Sequence, residues 1–424
     1  MAEGASRPAR TIPELPIYYL LVGCYFFAFG LQFVLFPALV AFVLGASPSA
    51  VGLAQTALTA PMFCLLLFGG LFAERAKAGP ALGVLYALVA AAALVLSGAL
   101  LLGQLNYTTL ILYALFVGSC AAFLTPVRDA ALTGVLDREA AAGVHVPIAK
   151  AAAATTAVQI GAQIVGIVVA RFAGVSFAPF LALQALALAA AGACALLLRA
   201  PKPHGHESTL SGALRDLRDG VRYAFSSSVM APMLISAAYA GVFIVGALQV
   251  LFPLVIRETY GGDARTQASM LATLLAIFWS ASFVSAIVLT RLRPLERPGR
   301  ALLASHILSA AALATFAIEK PFWAFALIVA GWGLAAGVNI SMSRTIVQGA
   351  TSPQYLGRVL AVYSMGLMGG APVGSLITGL CADRFGEGIA ALIPAAGLLI
   401  ASAALAATTP LWRFTPADAA APKR

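Results

Sequence analysis

Val34-Leu35-Phe36-Pro37 returns later in the chain as Val250-Leu251-Phe252-Pro253, an offset of 216 residues. The same offset carries Gly30 onto Gly246, Gly45 onto Gly261, Arg75 onto Arg291 and Arg128 onto Arg344. One shared tetrapeptide is weak in so apolar a chain. Five landmarks at one offset, at matching points of matching segments, describe two homologous halves. A finer repeat overlays this one. Arg75, Arg171, Arg291 and Arg384 close apolar segments, each five residues after Gly70, Gly166, Ala286 or Gly379. Successive copies end on opposite faces, as three-helix units in inverted orientation would; the alternative is that arginine simply ends helices at headgroup level.

Outward from the repeat, each half resolves into six apolar runs. They cover 17–44, 49–73, 81–103, 108–127, 147–170 and 177–198, then 230–256, 267–290, 301–318, 321–343, 357–381 and 389–409. Runs of about 20 residues cross the hydrocarbon core of a bilayer as helices. Barrel strands would be half as long and would alternate apolar and polar residues, which these do not. Apolar residues make up 61% of the chain and charged residues 10%, against about 25% charged in soluble domains. The expected fold is an all-α integral membrane protein of twelve transmembrane helices in two homologous six-helix bundles, 17–198 and 230–409. A cytoplasmic tail at 1–16, a linker at 199–229 and a tail at 410–424 complete it.

The net charge of +10 reflects topology and does not call for nucleic acid. With the N-terminus in the cytoplasm, 21 of the 26 Lys and Arg fall on the cytoplasmic side; Arg171, Arg257, Arg265, Lys320 and Arg384 fall outside. The opposite orientation would invert this bias and break the positive-inside rule. Both termini are expected in the cytoplasm. The linker opens on Pro201, Pro203 and Gly205, then places Leu210, Leu214, Leu217, Val221 and Phe225 on one helical face. It reads as an amphipathic surface helix tethering the halves.

Enzymatic and ATP-driven functions find no footing. The sequence has no GxxxxGK[ST] phosphate loop. Its five cysteines are scattered, without a CxxC pair or a metal-ligand spacing. His204 and His206 lie on the linker without a third ligand, and His306 is the only histidine inside a span. It stands near the start of the ninth span, which argues against a central role. No cofactor or metal is expected. The expected partners are a small-molecule substrate and the lipid bilayer, with the chain acting as a monomer.

A polar side chain facing lipid is costly unless paired, so amides within spans are expected to face an interior. Gln32, Gln55, Gln159, Gln163, Gln249 and Asn339 are the candidates for substrate binding, with Tyr239, Trp279 and Trp332 as aromatic walls carrying a polar tip. The competing reading makes these amides interhelical glue. Gln32 and Gln249 occupy nearly equivalent places in the two halves.

Two six-helix halves, a central linker and inside termini resemble the major facilitator superfamily. Gly70-Leu71-Phe72-Ala73-Glu74-Arg75-Ala76-Lys77 is similar to its loop motif, with Glu74 in place of the usual Asp. Gly45-Ala46-Ser47-Pro48, Arg128-Asp129, Tyr355-Leu356-Gly357-Arg358 and Ala382-Asp383-Arg384-Phe385-Gly386 resemble the branch of enterobactin-type siderophore exporters and macrolide-type efflux proteins. The resemblance implies efflux of a small amphiphilic molecule by alternating access, in a bacterial cytoplasmic (inner) membrane. It also implies a cytoplasmic gate built from Gly70, Glu74, Arg75, Arg128, Asp129 and Arg344; headgroup anchoring is the plainer role for these charges. One departure stands out. Where that branch often carries an acidic residue in the first helix, this chain has Phe29, and all 16 Asp and Glu fall outside the spans. Mid-membrane carboxylates usually mark proton or ion sites. A facilitator or lipid-handling flippase is therefore the alternative mechanism; a sensor or scaffold would be expected to add a large soluble domain.

Overall fold

A computed structural model describes residues 13–174, 176–199, 210–292, 295–352 and 355–415. The first part of the linker, with His204 and His206, and most of both tails lie outside these residues. Among the described residues every regular element is helical, and twelve helices are long and apolar enough to cross a membrane. In the first half these are α1 (Glu14–Val43), α2 (Pro48–Arg75), α3 (Ala78–Leu101), α4 (Tyr107–Ala141), α5 (Ile148–Ala173) and α6 (Phe177–Leu197). The linker helix is α7 (Leu210–Ser226). The second half contains α8 (Met230–Tyr260), α9 (Ala264–Arg291), α10 (Pro298–Ala317), α11 (Phe322–Ala350), α12 (Leu356–Phe385) and α13 (Glu387–Thr408).

The duplication holds at the level of caps and turns. α1 loosens into a π turn at Leu39–Val43 and α8 into one at Ile256–Tyr260, each just past the repeated proline. Proline inside a helix removes a backbone hydrogen bond and clashes with the preceding turn, and a π turn is one way to absorb that. Gly45 and Gly261 then take φ of +58° and +60°, a region that a Cβ disfavours. The side chains of Ser47 and Asp263, 216 apart, cap α2 and α9 by accepting from the backbone N–H of Ala50 (3.3 Å) and Thr266 (3.0 Å).

Close helix crossings repeat as well. A Cβ on Gly30 would stand 2.2 Å from the Gln163 carbonyl oxygen, where α1 crosses α5; one on Gly246 would stand 2.6 Å from the Gly374 Cα, where α8 crosses α12. Association inside a bilayer rests on such backbone approach, because apolar burial alone gives helices no preference for each other over lipid. Large apolar side chains such as Val95, Leu102, Leu197, Leu327 and Ile400 are exposed on the perimeter, as lipid contact allows.

Two elements differ from expectation. α4 runs on to Ala141 where the apolar run ends at 127. Its extension beyond the apolar run is held by ion pairing: Arg138 donates to Glu14 through Nε (3.1 Å) and Nη2 (2.8 Å). Glu139 in turn accepts from the backbone N–H of Glu14 (2.8 Å) and Leu15 (3.2 Å), supplying the N-terminal cap that Pro13 lacks. The linker helix α7 does not lie free. Tyr223 stacks on Tyr355 at 4.3 Å, and its hydroxyl stands 3.1 Å from Ser352 Oγ, which fastens α7 to the start of α12.

The halves meet on the face that the charge bias assigns to the exterior. Ser49 Oγ donates to Asp383 Oδ2 (2.6 Å), and Arg257 Nη1 donates to the carbonyls of Ala41 (3.2 Å) and Ala46 (2.6 Å). Deeper in, Thr56 Oγ1 donates to the Pro372 carbonyl (2.9 Å).

Candidate substrate site

Below that closure a cavity of about 440 Å³ lies between the bundles, within the range of small-molecule sites. Among the described residues no charged side chain lines it. Its wall is mainly aliphatic and aromatic. Phe29, Phe33 and Trp279 form a continuous aromatic path across the halves, with ring centroids 5.8 Å apart for Phe29–Phe33 and 6.1 Å for Phe33–Trp279.

Five of the candidate amides reach this wall: Gln32, Gln55, Gln163, Gln249 and Asn339. Gln184 of α6 joins them. It carries the same sequence signal, an amide inside an apolar span, though it was not among the candidates. Its side chain is 1% exposed and donates through Nε2 to Gln32 Oε1 (2.9 Å) and Tyr113 Oη (3.3 Å). Gln249 Oε1 accepts from Ser375 Oγ (3.3 Å). Three polar atoms at the wall are buried without a protein partner: Gln184 Oε1, Gln163 Nε2 and Trp279 Nε1. Buried polar groups are rarely left unbonded, so one acceptor and two donors are free for a ligand or water.

The remaining candidates stand elsewhere. Gln159 is half-buried on α5, one turn from Gln163 and off the cavity wall. Trp332 is fully buried among Phe252, Phe278 and Phe316, whose rings lie 5.4 to 5.8 Å from it. Tyr239 sits behind the wall, hydrogen bonded to His306 (2.8 Å) and Ser402 (3.2 Å).

Of the gate candidates, Glu74, Arg75 and Arg344 are exposed at helix ends and Gly70 is half-buried. Arg128 is different: 4% exposed, its guanidinium lies over the rings of Tyr25 (5.2 Å) and Phe26 (5.0 Å) and 3.7 Å from Asp129. Cation–π contact of this kind strengthens when desolvated. Because Tyr25 also lines the cavity, Arg128 is one ring removed from it. The ion cluster of Glu14, Arg138 and Glu139, which Arg199 approaches to 3.8 Å, was not among the candidates, since its members lie far apart in sequence. Among the described residues no group of His, Cys, Asp and Glu is placed to hold a metal ion.

Residues 36–424 match the transmembrane secretion effector family of the major facilitator superfamily. No curated protein matches the chain. Among solved structures, the nucleoside transporter NupG is similar with a TM-score of 0.74 at 13% identity, over 95% of this chain and 100% of that one. A point mutant of NupG gives 0.75 at 14% identity, over 93% and 99%. A bacterial homologue of the human lysosomal transporter Spinster, inward-facing and unoccupied, gives 0.66 at 14% identity, over 95% and 97%. At these identities the likeness is one of fold.

Proposed function

We infer the function from the premise that this chain belongs to the transmembrane secretion effector family of the major facilitator superfamily and is a membrane transporter. Our reading is that it exports a small, neutral amphiphilic molecule with an aromatic or apolar body, of siderophore or drug-like type, by alternating access. The observation that supports it is the uncharged aromatic-and-amide cavity between the halves. An ionised ligand would be desolvated there without a counter-charge, which is expensive. An aromatic body with a few hydrogen-bonding groups would meet ring faces and the free amide functions. Closure on the exterior-assigned face corresponds to the inward-facing state of such a cycle, the state in which an exporter loads. Export as the direction rests on the resemblance to efflux proteins.

The test is flux in proteoliposomes across a panel holding a catechol amide, a macrolide, a nucleoside and an apolar dye, with and without a pH gradient. Nucleosides are included because they too are neutral and aromatic. Transport of at least one neutral aromatic compound is expected, weakened about five- to tenfold by Gln163→Leu, the net worth of one hydrogen bond. Preference for a multiply charged compound would sink the reading. A facilitator is the second reading, favoured because among the described residues no carboxylate lines the cavity. It predicts flux that follows the substrate gradient alone.

A further inference from the structure

His306 belies its position near the start of an apolar run. It is 0% exposed, and both ring nitrogens are engaged: Nδ1 with the Tyr239 hydroxyl at 2.8 Å, Nε2 with the side-chain amide of Asn339. Tyr239 continues to Ser402 Oγ at 3.2 Å. The chain of groups therefore runs from α13 through α8 and α10 to α11, and ends on the cavity wall at Asn339. We propose that His306, Tyr239, Asn339 and Ser402 form a proton-binding site whose occupancy sets whether Asn339 shows the cavity a hydrogen-bond acceptor or a donor. This rests on reading the cavity as the substrate site.

The hydrogen positions come from the inventory of donors and acceptors. With the ring neutral, Asn339 Nδ2–H donates to Nε2, Nδ1–H donates to Tyr239 Oη, and the tyrosine hydroxyl donates to Ser402 Oγ. Asn339 Oδ1 is then turned toward the cavity as an acceptor. A proton added at Nε2 makes that atom a donor. One half-turn of the Asn339 amide brings Oδ1 to Nε2 and directs the NH₂ group to the cavity; no other bond in the chain reverses. Amide orientation is exchangeable in this way because oxygen and nitrogen are nearly isosteric. The network thus satisfies both the neutral ring and the imidazolium, and converts one bound proton into a reversal of polarity on the wall.

Among the described residues, Tyr239 of α8 is the titratable group that touches the ring. On α10 itself the nearest polar neighbours, Ser305 and Ser309, donate back to the carbonyls of Leu302 and Ser305. Charged groups on α10 and on the elements packed around it stand at helix ends: Arg300, at the start of α10, lies over Trp412 at 5.5 Å, Arg344 and Arg413 are exposed, and Glu387 is half-buried. Histidine can take up a proton where no carboxylate stands, and a proton device here needs no mid-membrane carboxylate. A purely structural network would instead hold one tautomer at every pH.

The full-length protein in lipid nanodiscs, with isotopically labelled histidine, reads the ring directly by NMR, the His306→Gln variant assigning the signal. The expected result is a neutral tautomer protonated on Nδ1 that gives way to imidazolium as the pH is lowered across the range in which the protein stays folded. The second readout uses a neutral naphthylamine dye whose N–H favours an acceptor on the wall. Its affinity is expected to fall roughly fivefold across the same transition, within the usual range of coupling between two sites, and to become independent of pH in His306→Gln and in Asn339→Leu. A ring that keeps a single neutral tautomer throughout would overturn the proposal. So would a ring that titrates while dye binding ignores pH. Failure of the dye to bind at any pH would overturn the cavity reading and the link to it; the ring titration needs no ligand and reads that failure separately.

Discussion

At Gly30 there is no room for a methyl group. The Cβ of an alanine would sit 2.2 Å from the Gln163 carbonyl oxygen of α5, and that oxygen belongs to backbone that cannot swing aside. Gly30→Ala is expected to cost about 1–3 kcal/mol, the usual range for overpacking, read as a lower thermal midpoint in detergent. Gly161→Ala is the control: nothing stands within 4 Å of its would-be Cβ, and relief of backbone entropy should leave stability unchanged or raised by up to about 1 kcal/mol. Arg128 carries the other residue-scale expectation. Its guanidinium is held by Tyr25, Phe26 and Asp129 beside the cavity. Arg128→Ala should reduce transport while membrane-inserted protein is still made. Wild-type flux from that variant would return Arg128 to plain packing.

The two caps at the start of α2 and α9 occupy equivalent places but differ in chemistry. Ser47→Ala should destabilise by about 1 kcal/mol, as loss of an N-cap does, with little dependence on pH. Asp263 behaves otherwise. Hydrogen bonds from the Thr266 side chain and backbone hold its carboxyl below the usual aspartate range. A carboxylate whose folded value is depressed contributes stability above its unfolded value and loses it as the pH falls through the folded one. Exchange at the Thr266 amide should therefore accelerate in acid beyond its intrinsic rate, while the Ala50 amide keeps its protection; Asp263→Asn should remove the difference. Equal behaviour of the two amides would show that the caps are not the local determinant. The duplication also breaks at a charged pair: Arg128 is buried and its counterpart Arg344 is exposed, so the halves share a frame and differ in what they place beside the cavity.

For the molecule as a whole, closure on one face is the feature with a direct test. Ser49 and Asp383 lie on opposite halves and are joined at 2.6 Å. A Ser49→Cys/Asp383→Cys pair should cross-link readily in membranes and arrest transport, with activity restored on reduction. Full activity in the cross-linked protein would mean that the halves need not part there. Orientation is checked independently. Reporters fused at residue 295 should face the cytoplasm and at residue 262 the exterior, as the 21-to-5 charge bias requires; the reverse result would invert the assignment of loading and release faces.

The number of spans and the duplication were legible in the order of residues, because each is written along the chain: a run long enough to cross a bilayer, a repeat at one offset. Which amides would share a cavity was not. Gln159 and Gln163 lie on one face of one helix, yet only Gln163 reaches the wall, because a neighbouring helix decides which part of a face stays open. In α8 a π turn at Gly241–Gly246 comes just after Tyr239. At about 3.6 residues per turn, one extra residue in a π turn rotates the remainder of the helix by roughly 100°, so periodicity cannot be carried through it. Tyr239 consequently turns away from the cavity toward His306, while Gln249 beyond the turn faces it. Glu14 and Arg138 are 124 residues apart, and His306, Tyr239, Asn339 and Ser402 come from four helices. Only the packing of those helices brings such groups within hydrogen-bonding distance, and no regularity along the chain records it.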